Sequence, residues 1–501
     1  MTATVQDGGA DTRTMRRSTL LWLATVGGRA DRTRIALTTV GAAAGVLALL
    51  AAATVASTGT DDGPYTSELL NEPGLHVGVV IALVLLCVPV LAFTGQCARI
   101  GAPARDRRLA ALRLSGATPA DVARVAATET GLAAALGAVL GLAVYLVGRV
   151  LLDTPVTATY GRHTELGAGS YLLEEVTGPV RRLPTDVLPP VWLIALLVAV
   201  VPAAAAVFAL AALRRVATTP FGVVRRQQVR PVQVLPAALF AAGTLGMALF
   251  AGLARVTGLD EARPAIITVV FLALFLCTGV GLVLGTAAMS ARAGEFLARR
   301  TGRPALLIAA RRLVAAPFAT SRSTAALLLV VLLAAAIQGF REHTLLAQRQ
   351  GGNEFYARAL DQVDLALVVA GVIAAAGLLV GTIEGVLSRR RAAAALTAAG
   401  VPRGVLGRAL LLEVLVPIVP AALLATAAGI LAARGVMGTT VREVVYSATG
   451  TELRVTELPV PVPWEALAVI AGGTALATAA LTMVALPILR RSADPGELRT
   501  A

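Results

Sequence analysis

Two stretches of the sequence place clustered arginines before a Leu-x-x-x-Gly sequence and the start of a long apolar run. The first, RDRRLAALRLSGATPADVARV, occupies 105–125, and the second, RRRAAAALTAAGVPRGVLGRA, occupies 389–409. Aligned without a gap, 284 residues apart, the copies share Arg105 with Arg389, Arg107 with Arg391, Leu112 with Leu396, Gly116 with Gly400, Arg124 with Arg408 and Glu129 with Glu413. Arginine at a membrane surface attracts anionic groups. The repeat therefore predicts one membrane unit that occurs twice.

The repeated segment has the residue pattern of a helix that lies in the membrane interface. If 105–114 is helical, Leu109 and Leu112 share one face and arginines occupy much of the remainder. Gly116 is suited to close that helix, and Thr118 begins a Thr-Pro-x-Asp sequence typical of a new helix start. Two interpretations remain open, namely a basic loop that only sets topology and an element that docks a partner.

Three acidic residues are predicted inside the membrane, one or two turns from the arginine-rich face. They are Glu129, Glu384 and Glu413. Ionisable groups are costly at that depth and are often functional. Three alternatives remain open for them. The first is a structural ion pair, of Glu129 with Arg124 or a neighbouring helix and of Glu413 with Arg408. The second is a part in coupling movements, and the third is proton or substrate handling.

The composition requires a bilayer. Of the 501 residues, 56% are apolar and 15% charged, and the mean hydropathy is +0.77, so one soluble core could not bury the apolar surface. Backbone groups in lipid must be paired within a helix or a closed barrel, and the runs have helix length. About ten transmembrane helices are predicted, at 35–57, 77–97, 123–148, 191–213, 235–254, 265–289, 324–340, 365–387, 409–433 and 464–489.

The order of the runs predicts an all-α polytopic membrane protein with two four-helix units joined by a two-helix linker. A Pro-rich approach places Trp192 and Trp464 at the start of the last helix of each unit. The predicted segments are an N-terminal segment at 1–34, a first unit at 35–215, a linker with two membrane helices and an amphipathic segment at 216–320, a second unit at 321–490 and a tail at 491–501.

Arginine placement predicts the orientation. All 44 basic residues are arginine, and most of them lie on the side that carries both termini and both repeated segments. The positive-inside rule places that side, with both termini, in the cytoplasm. The expected location is the plasma membrane. The net charge of +14 is then explained by attraction to the inner leaflet, and nucleic acid is not an expected partner.

Several chemistries are not expected. A P-loop needs a lysine to reach the terminal phosphates, and the chain contains none, so it should not hydrolyse ATP by that route. The three cysteines lie in or beside apolar runs, and His76, His163 and His343 lack ligand spacing. Neither a metal nor a cofactor is predicted, and we do not expect the chain to be an enzyme.

The repeated segment, followed by a turn and a helix that begins with Arg and Glu, resembles the FtsX-like permeases of ABC transporters, the group of MacB and the lipoprotein-releasing permeases. The resemblance covers 30–215 and 320–490. It implies that each segment inserts into a groove of a separate ATPase subunit, present in two copies. It also implies coupling roles for Arg107, Arg108, Leu112 and Gly116 in the first copy and for Arg391, Leu396 and Gly400 in the second.

The chain departs from that family in its outer loops. The loops after the first helix of each unit, 58–76 and 341–364, are too short for the large outer domain of many members. An ABC permease that exports or extracts an amphipathic or lipid-like substrate is the leading hypothesis. A transmembrane signalling or regulatory subunit uses the same segment, and a secondary transporter would need polar groups at the bilayer midplane. Substrate identity stays open.

Overall fold

The computed structural model describes residues 29–58, 64–66, 111–165, 171–217, 235–257, 264–349, 354–446 and 452–487, with isolated positions between 70 and 91. Most of these residues are helical. The helices are α1 Arg29–Ala56, α2 Pro119–Leu152, α3 Val191–Ala217, α4 Leu235–Thr257, α5 Pro264–Arg300, α6 Pro304–Ala315, α7 Pro317–Ala347, α8 Glu354–Ser388, α9 Arg390–Ala398, α10 Arg403–Met437 and α11 Trp464–Val484.

Within the described ranges, eight helices are long and apolar enough to cross a membrane, namely α1, α2, α3, α5, α7, α8, α10 and α11. The apolar part of α4, Leu235–Leu249, is shorter than the others. The predicted run at 77–97 lies almost entirely outside the described residues, as do 1–28 and 488–501. The protein is therefore a mostly helical, multi-pass membrane protein, as predicted from composition.

Two antiparallel hairpins are the departure from an all-α fold. Strands β1, Pro155–Glu165, and β2, Tyr171–Arg181, follow α2, while β3, Thr440–Tyr446, and β4, Glu452–Pro459, follow α10. The sequence predicted only loops there. Threonine, valine and tyrosine are frequent in these strands and favour extended backbone. Gly116 and Gly400 precede the first residues of α2 and α10, and the hairpins follow their last residues. We call the first end of each helix the turn side and the other end the hairpin side.

Helices α1, α2 and α3 form one packed bundle. Its core includes Leu50 of α1, Ala138 of α2 and Val201 of α3. Glycines let α1 and α2 approach closely: a Cβ built on Gly137 would lie 2.3 Å from the Thr39 carbonyl oxygen. The G-x-x-x-G spacing of α2 therefore serves helix packing, as in many membrane bundles.

Replacing Gly137 by leucine is expected to separate α1 from α2, because the new side chain would collide with backbone that cannot yield. Overpacking of this kind costs about 1–3 kcal/mol or more. Thermal unfolding in detergent should show a lower melting temperature. Gly148→Leu is the matched control, since Gly148 lies in the same helix with no atom within 4 Å of its Cβ position. Equal melting temperatures for the two variants would contradict this account.

A second bundle is built from α4, α5, α7, α8 and α10. Its core includes Met247 of α4, Phe275 of α5, Leu332 of α7, Leu378 of α8 and Ile418 of α10. The range predicted as a linker contains α4, α5 and the short amphipathic α6. Both α4 and α5 pack against α10. The two linker helices therefore contribute to this bundle's core.

Helix α4 meets its neighbours through glycines. A Cβ on Gly281 of α5 would lie 2.3 Å from the backbone nitrogen of Phe240, and one on Gly435 of α10 would lie 2.4 Å from the carbonyl oxygen of Met247. Close backbone approach of this kind maximises van der Waals contact where lipid offers no hydrophobic driving force. Helix α4 is therefore held between α5 and α10.

Candidate functional site

The first repeated segment closes a helix with a Schellman motif. Residues 111–114 are helical, the Gly116 amide donates to the carbonyl of Arg113, and the Ala117 amide donates to the carbonyl of Leu112, both at 3.0 Å. Gly116 has a φ of 99°, which side-chain-bearing residues rarely adopt. The prediction that Gly116 ends this helix is confirmed.

A capping box then starts α2. The Thr118 hydroxyl accepts a hydrogen bond from the Asp121 amide at 3.2 Å, and the Asp121 carboxylate accepts one from the Thr118 amide at 3.3 Å. Pro119 occupies the first helical position, where its missing N–H costs nothing. The turn from the basic segment into the membrane helix is thus fixed by local sequence.

The second segment closes in the same way. Helix α9 ends at Ala398, the Gly400 amide donates to the carbonyl of Thr397, and the Val401 amide donates to the carbonyl of Leu396, again both at 3.0 Å. Gly400 has a φ of 89°. The positions that match in the sequence alignment therefore make matching backbone hydrogen bonds.

The leucines of the two repeated segments, Leu112 and Leu396, point toward the helices that adjoin each turn. Leu112 packs against Val122, Val125 and Ala126 of α2. Leu396 packs against the cluster of Val386, Ala393, Leu406 and Leu410. In a Schellman motif the residue three positions before the cap contacts the residue that follows the glycine. This contact explains why the leucine side chains point inward.

The side chains at the tips of the turns are exposed, and the sequence interpretation did not name them. Leu114 is 91% exposed, and Ala398, at the matching position, is also exposed. Helical spacing would have identified them. A residue two positions after Leu112 or Leu396 lies on a different face of the helix from that leucine. Arg391 is exposed beside the second tip, while Arg107 and Arg108 lie outside the described residues. The residue at each tip itself is an apolar leucine or a small alanine.

Glu413 joins the second segment to two other helices. Its carboxylate accepts a hydrogen bond from Arg389 at 2.5 Å, immediately before α9, and lies 3.5 Å from the guanidinium of Arg312 in α6. The glutamate is 6% exposed. The partner suggested by sequence spacing, Arg408, was wrong, because Arg389 and Arg312 approach from other elements and no local spacing reports them.

A small cavity borders this cluster, with a lining that is mostly apolar. It has a volume of about 60 Å³ and is lined by the cluster together with Ser323 of α7 and Thr382 of α8, among others. That space admits a few water molecules. The second segment is therefore attached to the bundle by ion pairs at the wall of a small cavity.

The other two predicted acidic residues lie on separate helices. Glu129, the match of Glu413, is 3% exposed in α2, and Glu384 is half-buried near the end of α8. The proposed partner of Glu129, Arg124, lies 3.7 Å from the Asp121 carboxylate. Roles for Glu129 and Glu384 stay predictions.

The hairpin side carries a second matched pair of contacts. Arg149, near the end of α2, donates a hydrogen bond to the carbonyl of Val187, and Arg434, near the end of α10, donates one to the carbonyl of Val460 at 3.0 Å. Both carbonyls lie between a hairpin and the next helix. Each arginine therefore fixes the chain that returns to the membrane.

Arg181 organises the base of the first hairpin. It bonds Asp153 through Nε at 2.9 Å and lies 3.6 Å from Asp186, and its backbone pairs with the segment around the buried Tyr65. A hydrogen bond from Thr185 and then one from Arg181 lower the pKa of the Asp153 carboxyl. These bonds hold α2, the first hairpin and the loop after α1 together.

The lowered pKa of Asp153 predicts how the hairpin responds to acid. The stabilisation is complete above the carboxyl's ordinary pKa and is lost as the pH falls through the lowered, folded value. Thr185→Val should raise that pKa and move the loss to higher pH. Cleavage of the hairpin by pepsin, followed between about pH 2 and pH 5, should begin at higher pH in the variant. Thr159→Val is the control and should keep the pH profile of the unchanged protein. An unchanged profile for Thr185→Val as well would contradict the role of Thr185 in lowering the pKa of Asp153.

Among the described residues, no group of three or more His, Cys, Asp or Glu could hold a metal ion. No family model, curated protein or solved structure matches the chain. The fold and the sites define a multi-pass membrane protein with two similar helix-closing turns, one before α2 and one before α10.

Proposed function

We propose that this chain is the membrane-spanning permease subunit of an ABC transporter of the FtsX-like type, with two four-helix units. It exports or extracts an amphipathic or lipid-like substrate, and a separate ATPase subunit supplies the energy. The observation that carries the proposal is the pair of Schellman-closed turns, which share backbone hydrogen bonds and precede α2 and α10.

The exposed tips support a docking role. Docking into a groove requires a short, rigid projection with a small or apolar end, and the Leu114 and Ala398 tips have that character. Arg124 and Arg403 are exposed nearby and would face acidic groups at the rim of such a groove. A loop that only sets topology would need neither the shared hydrogen bonds nor the inward leucines.

The attachment of the second segment supports energy coupling. The ion pairs of Glu413 connect Arg389, at the start of α9, with α10 and α6. A displacement of α9 by an ATPase would therefore move α10 directly, because the connection passes through charged groups in a confined space. In this proposal the substrate moves when α9 and α10 are displaced by the ATPase bound at the turns.

The orientation is tested by cysteine labelling in a background without native cysteines. Ser115→Cys and Ala399→Cys, on the turn side, are expected in the cytoplasm. Thr157→Cys and Glu457→Cys, on the hairpin side, are expected outside. A membrane-impermeant thiol reagent applied to intact cells should label only the second pair. Labelling of the first pair alone would reverse the orientation.

The function is tested by reconstitution with an ABC-type ATPase from the same organism, and an ATPase gene beside this one, if found, is the first to try. The full chain and the ATPase, each tagged separately, should copurify and hydrolyse ATP faster in lipid than the ATPase alone. An ATPase that neither binds nor responds would refute the proposal. Binding and stimulation without movement of any lipid-like substrate would favour the regulatory subunit instead.

A further inference from the structure

An apolar groove lies between α5 and α7, away from the turns. It has a volume of about 260 Å³. From α5 it is lined by Phe275, Leu276, Gly279, Val280, Val283 and Leu284, and from α7 by Ala325, Leu329 and Leu333. All of these residues belong to helices that could cross a membrane. The groove therefore lies along the parts of α5 and α7 that are apolar enough to cross a membrane.

The groove has a closed floor and an open side. Phe275 and Leu333 are each 5% exposed, whereas Leu276 and Val280 are 44% and 51% exposed. Gly279 permits this shape, because a Cβ there would lie 2.7 Å from a Leu329 methyl group. An apolar cavity of about 150 Å³ already admits a benzene-sized molecule. A groove of this size and exposure can hold part of one hydrocarbon chain.

A charge continues the groove toward the turn side. Arg322 precedes Ala325 by one helical turn, and Arg322, Ala325, Leu329 and Leu333 form one stripe along α7. Arg322 is exposed. An arginine next to an apolar stripe complements a molecule with an anionic head and a hydrocarbon tail, which is the chemistry of an anionic phospholipid.

We propose that the α5–α7 groove binds an anionic phospholipid, with one acyl chain between Val280 and Leu329 and the phosphate at Arg322. Selectivity comes from the headgroup and from van der Waals contact with rigid walls, because the surrounding lipid is as apolar as the groove itself. One arginine near the surface is worth about a fivefold preference for an anionic lipid. The site involves neither turn, so it does not depend on the proposed ATPase partner.

The test uses the full-length protein in phosphatidylcholine nanodiscs that contain a trace of phosphatidylglycerol with a photoreactive group on its acyl chain. Peptide mass spectrometry should locate the adducts on 275–284 and 325–333, with about fivefold higher yield than for a photoreactive phosphatidylcholine. Adducts spread evenly over all exposed apolar faces would overturn the proposal.

Matched variants separate the two parts of the site. Val280→Trp fills the groove and should lower labelling there about threefold, whereas Val372→Trp, on the exposed face of α8, should not. Arg322→Gln should abolish the anionic preference, and Arg311→Gln, another exposed arginine, should preserve it. The site would be refuted if Val280→Trp and Val372→Trp changed labelling equally. It would also be refuted if Arg322→Gln and Arg311→Gln changed the anionic preference equally. Size-exclusion profiles report folding, and Ala325→Phe replaces Val280→Trp if that variant misfolds.

Discussion

Replacing Glu413 by glutamine is expected to cause one of the largest losses of stability of any single substitution in the chain. The change leaves the guanidinium groups of Arg389 and Arg312 close together without a counter-charge in a confined space. Breaking a largely buried ion pair in this way costs about 3–5 kcal/mol, and the partial exposure of Arg389 reduces that to about 2–4 kcal/mol. Thermal unfolding in detergent should show a clearly lower melting temperature.

Two comparisons test the cause of that loss. In the Arg389→Gln, Glu413→Gln double variant the loss should be smaller than the sum of the single losses, because the unpaired charge is removed. Asp361→Asn is the control, since it removes an exposed carboxylate from Arg341, which keeps Asp364 as a partner at 2.9 Å. That change should cost less than about 1 kcal/mol. A wild-type melting temperature for Glu413→Gln would show that the ion pairs carry no stability.

Replacing Leu114 and Ala398 together with aspartate is expected to abolish stimulation of the ATPase while the protein stays folded. Both side chains are exposed, so the fold should tolerate the carboxylates. Inside an ATPase groove the same carboxylates would be desolvated without a partner, and binding should fall about tenfold or more. Binding and ATPase rates of the purified proteins measure the effect.

The controls for this prediction distinguish docking from folding. Leu183→Asp replaces another exposed leucine, which is 47% exposed on the hairpin side. ATPase binding should be unchanged in this variant. Leu396→Asp instead places the charge against Leu406 and Leu410, so it should lower stability. Full stimulation by the double tip variant would remove the basis for docking at these turns.

The helices and the turns were predictable because their causes are local. Apolar runs of membrane length specify helices, and a glycine with left-handed backbone ends a helix whatever surrounds it. The prediction for Gly116 required only Leu112 and the Thr-Pro-x-Asp sequence that follows it. The second copy lacks that Thr-Pro-x-Asp sequence, and Gly400 was matched to Gly116 only by the alignment of the two copies.

The partners of Glu413 could not be predicted, because they depend on packing between distant elements. Arg312 lies 101 residues from Glu413 along the chain and reaches it only because α6 packs beside α10. The hairpins were missed for a different reason: 149–190 and 434–463 mix charged and apolar residues without a clean two-residue period.

The position of α4 between α5 and α10 constrains how the protein is made. The ribosome releases α4 before α5, and it adds 180 residues between the end of α4 at Thr257 and the end of α10 at Met437. The short apolar part of α4 therefore leaves the translocation machinery without its final neighbour. Helix α5 follows at once and meets α4 through Gly281, so the two can enter the bilayer as a preassembled pair. The contact of Gly435 with Met247 then completes the second bundle only late in synthesis.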